Sequence, residues 1–237
     1  MTNFFVQIFN VIFYQPLFNL LILFYLFSKD FGLAIIFLTL LIRILFYPLT
    51  TKSIKSQKTL ESFQEKIKEI QERYRDDREK QAMEMMELYR KEKINPFSSF
   101  LPLLIQFPIL IALYQVFRKG LITEEMVNLY PFVPQPGQIS PFFFNSLDLT
   151  KPYLLLAILA GIFQFFQTRM TMPKAKKIKT QLEQFSNLVQ KQTLYFLPIF
   201  TILLLWKLPA AISLYWLTAT IFSIIQQYLI LKRLKNE

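Results

Sequence analysis

The 237-residue chain contains no cysteine and no histidine. Disulfides, thiol nucleophiles and the commonest soft metal ligands are therefore excluded together. Glycine is nearly as scarce: the four present form no G-x-x-x-x-G-K or G-x-G-x-x-G spacing that would cradle a phosphate. Charge is also thin. Asp, Glu, Lys and Arg make up 18% of the chain, and they cluster in blocks between long apolar runs instead of spreading evenly. What fills the chain is apolar, 53% of residues, with 26 phenylalanines among them. This pattern is that of an all-α polytopic membrane protein.

The basic excess, 27 Lys and Arg against 16 Asp and Glu, sits at the borders of the apolar runs. That placement fits topological anchors on an anionic membrane surface better than a nucleic-acid partner. The first cation is Lys29, so the N-terminus lacks the basic start of a cleaved signal peptide, and no cleavage is expected. Five spans are expected near residues 31–50, 99–118, 152–170, 192–207 and 209–231, each close to the ~20 residues a crossing needs. Lys207-Leu208-Pro209 leaves room only for a tight turn between the last two. The connection at 52–93 holds twelve cations and that at 173–192 holds five, whereas 120–150 holds none. Basic connections stay inside. The first span is then expected to run out-to-in, with the hairpin and basic tail (233–237) facing the cytoplasm.

Residues 1–28 are read as an N-terminal interfacial segment, with a second reading as the alternative. Asn3, Gln7, Asn10 and Tyr14 recur at helical spacing before Pro16, which suits an amphipathic helix on the outer surface. The other reading is a hairpin turning at Ser28-Lys29-Asp30, with the N-terminus inside. In the 52–95 connection, Leu60, Phe63, Ile67, Ile70 and Tyr74 repeat at 3, 4, 3, 4. Ala82, Met85 and Tyr89 resume the seam after Asp76-Asp77. Two antiparallel helices of about 20 and 15 residues are expected, joined at 75–78. Their charges either only solvate the hairpin or dock a cytoplasmic partner.

Arg43 is the only charged residue in 31–49. An arginine near the bilayer centre costs about 2.5–3.5 kcal/mol on insertion scales. It lies roughly 12 Å along the helix from Thr51 and Lys52, far for its side chain to reach interfacial water. Thr39, Arg43 and Tyr47 stand at i, i+4 and i+8 and so share one face of a continuous helix.

The run GLAIIFLTLLIR at 32–43 with YPLT at 47–50 resembles the first core span of the YidC/Oxa/Alb membrane protein insertases. INPF at 94–97, LPLLIQFP at 101–108 and ALY at 112–114 resemble the second. Leu208-Pro209, Leu214-Tyr215-Trp216 and Ile224-Ile225-Gln226-Gln227 resemble the last. The likeness covers residues 15–232 in order. Ser98-Ser99 departs from the small residue and glycine of many members, and the overall pattern is that of the short five-span type.

This resemblance implies five helices around a hydrophilic groove, open to the cytoplasm and to lipid and closed outside. A polar segment of a nascent membrane protein enters near Arg43, without ATP, metal or cofactor. Thr39, Tyr47, Gln106, Gln164, Tyr215 and Trp216 are the further groove residues expected. Tyr215 and Trp216 are neighbours on one helix, so only one can face the groove squarely. The expected partners are nascent membrane proteins, the bilayer, the ribosome, the signal recognition particle receptor and the Sec translocon.

Each of these residues has a plainer reading. Arg43 can pair with carbonyls between packed helices or with lipid phosphate. The glutamines, Gln226 included, can hydrogen-bond between helices, a contact worth about 0.6 kcal/mol on average. Tyr215 and Trp216 can be packing or belt aromatics, as can Phe142-Phe143-Phe144 and Phe163-Phe165-Phe166, while the cations at 174–179 suit an anchor on anionic lipid. A small anion transporter or channel subunit is the competing function, disfavoured because no inverted repeat is visible and no acid lies in a span. An intramembrane enzyme would need His, Cys, Asp or Glu within the spans, and none occurs there.

Overall fold

In the computed structural model, residues 4–92, 101–119, 123–172 and 181–236 are described. Asn3 and the motifs at 94–99 and 174–179 lie outside these residues. The chain forms two compact units, Met1–Leu45 with Gln106–Ile225, and Phe46–Ile105 with Gln226–Glu237.

The first unit opens with helix α1 (Phe4–Phe9), a π-helical turn (Asn10–Tyr14) and helix α2 (Gln15–Ser28). The wide turn has a local cause. Pro16 follows it, and a proline ring clashes with the carbonyl four residues back, so the backbone loosens there and Gln15 bonds instead to Asn10. α1 exposes Phe4, Phe5, Val6 and Ile8, whereas Leu17, Phe18, Leu21, Ile22 and Tyr25 of α2 are buried. Together, Phe4–Ser28 is long and apolar enough to cross a membrane.

Lys29, in the left-handed region at φ 56°, turns the chain into helix α3 (Phe31–Leu45), against which α2 packs. Asp30 caps α3 by accepting from Leu33 N–H at 2.8 Å. The apolar run at 31–50 does not continue as one helix. Phe46 interrupts it, and helix α4 (Tyr47–Ser62) starts with Pro48 in its first turn. Proline lacks the N–H that would bond Ile44, and its ring excludes that residue's carbonyl.

Helices α5 (Gln64–Arg73) and α6 (Arg78–Lys91) belong to the second unit with α4. Helix α7 (Leu101–Lys119) carries Pro108 within it. After a short 3-10 turn (Thr123–Asn128) come two strands, β1 (Phe142–Phe143) and β2 (Leu147–Asp148), paired antiparallel with Phe143 opposite Leu147. The fold is therefore mostly helical but not all-α. Phe144 and Asn145, at φ 47° and 54°, make the tight turn between the strands. Helices α8 (Leu154–Thr171), α9 (Gln181–Leu205) and α10 (Ala210–Asn236) complete the chain.

α8 packs on α9, and its buried residues are all small, Ala157, Ala160, Gly161 and Thr168, which permits a close approach. A Cβ on Gly161 would collide with the Ile202 side chain and lie 3.1 Å from the Pro198 carbonyl oxygen. The turn to α10 is tight, and that helix's first N–H groups find partners outside it. Ala210 N–H donates to Lys151 O at 2.8 Å and Ala211 N–H to Leu149 O at 3.0 Å.

Three side chains fasten the 123–153 connection to α2 and the start of α3. Asn19 accepts from Tyr130 N–H at 2.6 Å and donates to Asn128 O at 3.0 Å. Tyr25 accepts from Ser140 N–H at 2.8 Å, and Asp30 Oδ2 accepts from Phe144 N–H at 2.6 Å. Phe143 lies over Gly32, where a Cβ would strike its ring.

In the second unit the expected first hairpin helix is broken at Phe63, over whose ring the Lys66 ammonium sits at 4.9 Å. Asp77 caps α6 through Lys80 N–H at 3.0 Å. α5 and α6 are joined by Gln81 Nε2 donating to Gln71 O at 3.0 Å and by a Lys66–Glu92 ion pair at 3.2 Å. The seam residues Leu60, Phe63, Ile67, Ile70, Tyr74, Met85 and Tyr89 are half-buried, and Ala82 is exposed.

Candidate functional site

Arg43 lies in the last turn of α3, two residues before the helix ends at Leu45. The break at Phe46 therefore has an electrostatic consequence. It places the negative end of the α3 dipole beside the guanidinium, an interaction typically worth about 0.3–1 kcal/mol. Arg43 Nη2 donates to Gln106 Oε1 at 3.2 Å, and Gln106 Nε2 donates to the Tyr215 hydroxyl at 2.5 Å. A polar chain thus links α3, α7 and α10. None of α3, α7, α8 or α10 contains an acidic residue. In the described hydrogen bond the arginine donates to a neutral amide oxygen, so its charge is solvated by a dipole and left unneutralised by those helices.

Tyr215 is 1% exposed, while Arg43 and Gln106 are half-buried. The chain of bonds runs from partly accessible positions to a fully enclosed hydroxyl. Next to Tyr215, Trp216 takes another direction, donating from Nε1 to Gln164 Oε1 on α8 at 3.1 Å. Two consecutive residues of α10 therefore reach two different helices.

Thr39 has no exposed surface, and its hydroxyl donates to Ile35 O at 2.6 Å within its own helix. Tyr47 is 37% exposed and begins α4, beyond the break, so the i, i+4, i+8 face does not run along one continuous helix. In the second unit, Gln226 Nε2 lies within hydrogen-bond reach of three acceptors. They are Tyr47 O at 3.1 Å, Thr50 Oγ1 at 2.7 Å and Thr51 Oγ1 at 3.1 Å. This matches the interhelical reading of that glutamine, since it ties α10 to the first turn of α4.

Several buried polar residues escaped the sequence reading, Asn19 and Ser213 among them. Asn19 carries a signal in the sequence, as a lone amide in the apolar run 17–27. Ser213, two residues before Tyr215, is 0% exposed, and its hydroxyl has no hydrogen-bond partner among the described residues. A serine there has no periodicity to betray it.

Residues 23–237 match the family described as 60Kd inner membrane protein. A membrane protein insertase YidC from Francisella philomiragia is 36% identical over 201 residues, 85% of this chain and 32% of the relative. The membrane protein insertase YidC of Francisella tularensis subsp. novicida matches to the same extent. The chain thus spans about a third of the length of these relatives. A crystal structure described as an active YidC insertase with its first transmembrane domain resolved superposes with a TM-score of 0.58 at 24% identity. That match covers 96% of this chain and 47% of the other, and it establishes likeness of fold. A family match over nearly the whole length, together with these relatives, leads to one conclusion: the chain belongs to the 60Kd inner membrane protein family.

Proposed function

We propose that the chain is a membrane protein insertase and chaperone, with the Arg43–Gln106–Tyr215 chain as the polar receptor for its substrates. The observation that carries this reading is a guanidinium on an apolar helix, bonded to a neutral amide, with no acid on α3, α7, α8 or α10. Such a charge costs free energy to keep in a bilayer. A polar or acidic segment of a nascent chain would lower that cost transiently, and the pairing is reversible because no bond is made. The adjoining apolar segment then enters lipid, driven by burial of its own surface at about 25 cal/mol per Å². No covalent step or nucleotide is required.

Within this reading Gln106 orients the guanidinium, and Tyr215 fixes Gln106 from a buried position. Gln164 and Trp216 form a second polar pair available to the groove wall. Thr39 supports the helix from inside, and Tyr47 marks the cytoplasmic end. Five spans, an outward-closed groove, a cytoplasmic hairpin and a cytoplasmic tail complete the arrangement. The named function of the relatives and the basic connections support it. The α5–α6 hairpin is the proposed contact for the ribosome or the targeting machinery, and the Sec translocon is a further proposed partner.

Two measurements test the reading. Cells depleted of their own insertase should be rescued by the chain, and Arg43→Lys should rescue better than Arg43→Gln if the charge attracts substrate. Because the chain has no native cysteine, Arg43→Cys can be probed with a water-soluble maleimide. Absence of labelling in a functional protein would sink the wet groove. Failure to rescue, together with arginine-dependent anion flux in vesicles, would favour the transporter instead.

A further inference from the structure

α8 carries a line of exposed residues that the groove does not use. Leu155, Ile158, Ile162, Phe166 and Arg169 follow at steps of 3, 4, 4 and 3, which places them on one helical face. Four are apolar, and the fifth, at the end, is a cation. Beside that charged end opens a cleft of about 460 Å³, lined by Phe163, Phe166, Arg169 and Met170 of α8 and by Ile224 of α10. Its size falls within the ~300–1,000 Å³ typical of small-molecule sites. Neither helix contains an acid, and along the chain none occurs between Asp148 and Glu183.

We propose that this cleft holds an anionic phospholipid, with an acyl chain against Phe163, Phe166, Met170 and Ile224 and the headgroup phosphate on Arg169. The chemistry at both ends agrees with this occupant. Arginine presents a planar fork of N–H donors suited to phosphate oxygens, and the remaining lining residues are apolar. The dimensions agree as well. Ile162 lies about 10 Å along the helix from Arg169, within a leaflet's share of the ~30 Å hydrocarbon core. The stripe therefore runs from headgroup level toward the middle of the bilayer. The site is independent of the insertase reading, because it shares no residue with the Arg43 chain.

The test uses the full chain reconstituted into vesicles of mixed phosphatidylglycerol and phosphatidylethanolamine, with retained lipid counted by native mass spectrometry. The wild-type chain should retain phosphatidylglycerol in preference to phosphatidylethanolamine. Arg169→Gln should lower that retention about fivefold, the effect expected for one basic residue at an anionic surface, and Arg169→Lys should preserve most of it. Ile224→Trp, which fills the cleft and keeps the charge, should also lower retention. Circular dichroism and elution volume identical to wild type establish that each variant is folded. Undiminished retention in Arg169→Gln would overturn the proposal. So would undiminished retention in Ile224→Trp, since a surface cation alone would then account for the binding.

Discussion

At the scale of single residues, the protein places a few polar side chains where each serves more than one backbone or helix. Asn19 is 2% exposed and bonds to Gln15 O, Asn128 O and Tyr130 N–H at once. Replacing it with leucine keeps the volume and removes the partner of a backbone donor, which should cost about 1–3 kcal/mol. Thermal unfolding in detergent measures that loss, and amide exchange at Tyr130 should quicken selectively. An unchanged melting temperature would show that water replaces the amide there. Arg43, Gln106 and Tyr215 were legible in the sequence because each breaks an apolar run at a position that the family resemblance marks. Their connectivity was not legible. Spacing along a chain does not say which of Tyr215 and Trp216 meets Gln106 and which meets Gln164, since that depends on how the helices rotate against one another.

At the scale of elements, apolar run lengths located α7, α8 and α10, and a proline explains the break between α3 and α4. Pro48 was visible in the sequence, yet the surrounding apolar residues outweighed it and 31–50 read as one span. The β1–β2 turn was illegible for a different reason. Phe144 and Asn145 adopt left-handed backbone that phenylalanine disfavours, and the Asp30 carboxylate that holds Phe144 N–H is more than a hundred residues away. Close packing of α8 on α9 is likewise testable. Gly161→Leu should destabilise by about 1–3 kcal/mol through overpacking. Adding Ile202→Ala to Gly161→Ala should recover part of the loss, and additive effects of those two changes would refute the contact.

The turn that receives α10 should respond to acid. Asp148 accepts from the Thr150 hydroxyl at 2.6 Å and pairs with Lys151 at 3.0 Å, and these contacts hold its carboxyl below the usual carboxylate value. A depressed folded value means that the contribution is complete above the unfolded value, near 4, and is lost as pH falls toward the folded one. Thr150→Val should therefore lose less stability than wild type on acidification below about pH 4. Parallel melting-temperature curves for the two proteins would contradict this.

At the scale of the whole molecule, the proposed sidedness rests on the distribution of cations. Asp76→Cys in the hairpin and Gln135→Cys in the 123–153 connection both occupy exposed positions. In intact cells, an impermeant maleimide should label the second and spare the first. The reverse pattern would invert the proposed orientation.

The 123–153 connection bears one more consequence. It is about thirty residues long, with exposed Pro131, Pro134 and Phe132, and by composition it is an obvious target for proteases. Asn19, Tyr25 and Asp30 nevertheless grip its backbone at three separated points, and α10 begins on its carbonyls. Cleavage requires the segment to open, and its rate follows how often it does so when reclosing is fast. Digestion of intact cells should accordingly cut this segment at the pace of global unfolding, as though it were the interior of a domain.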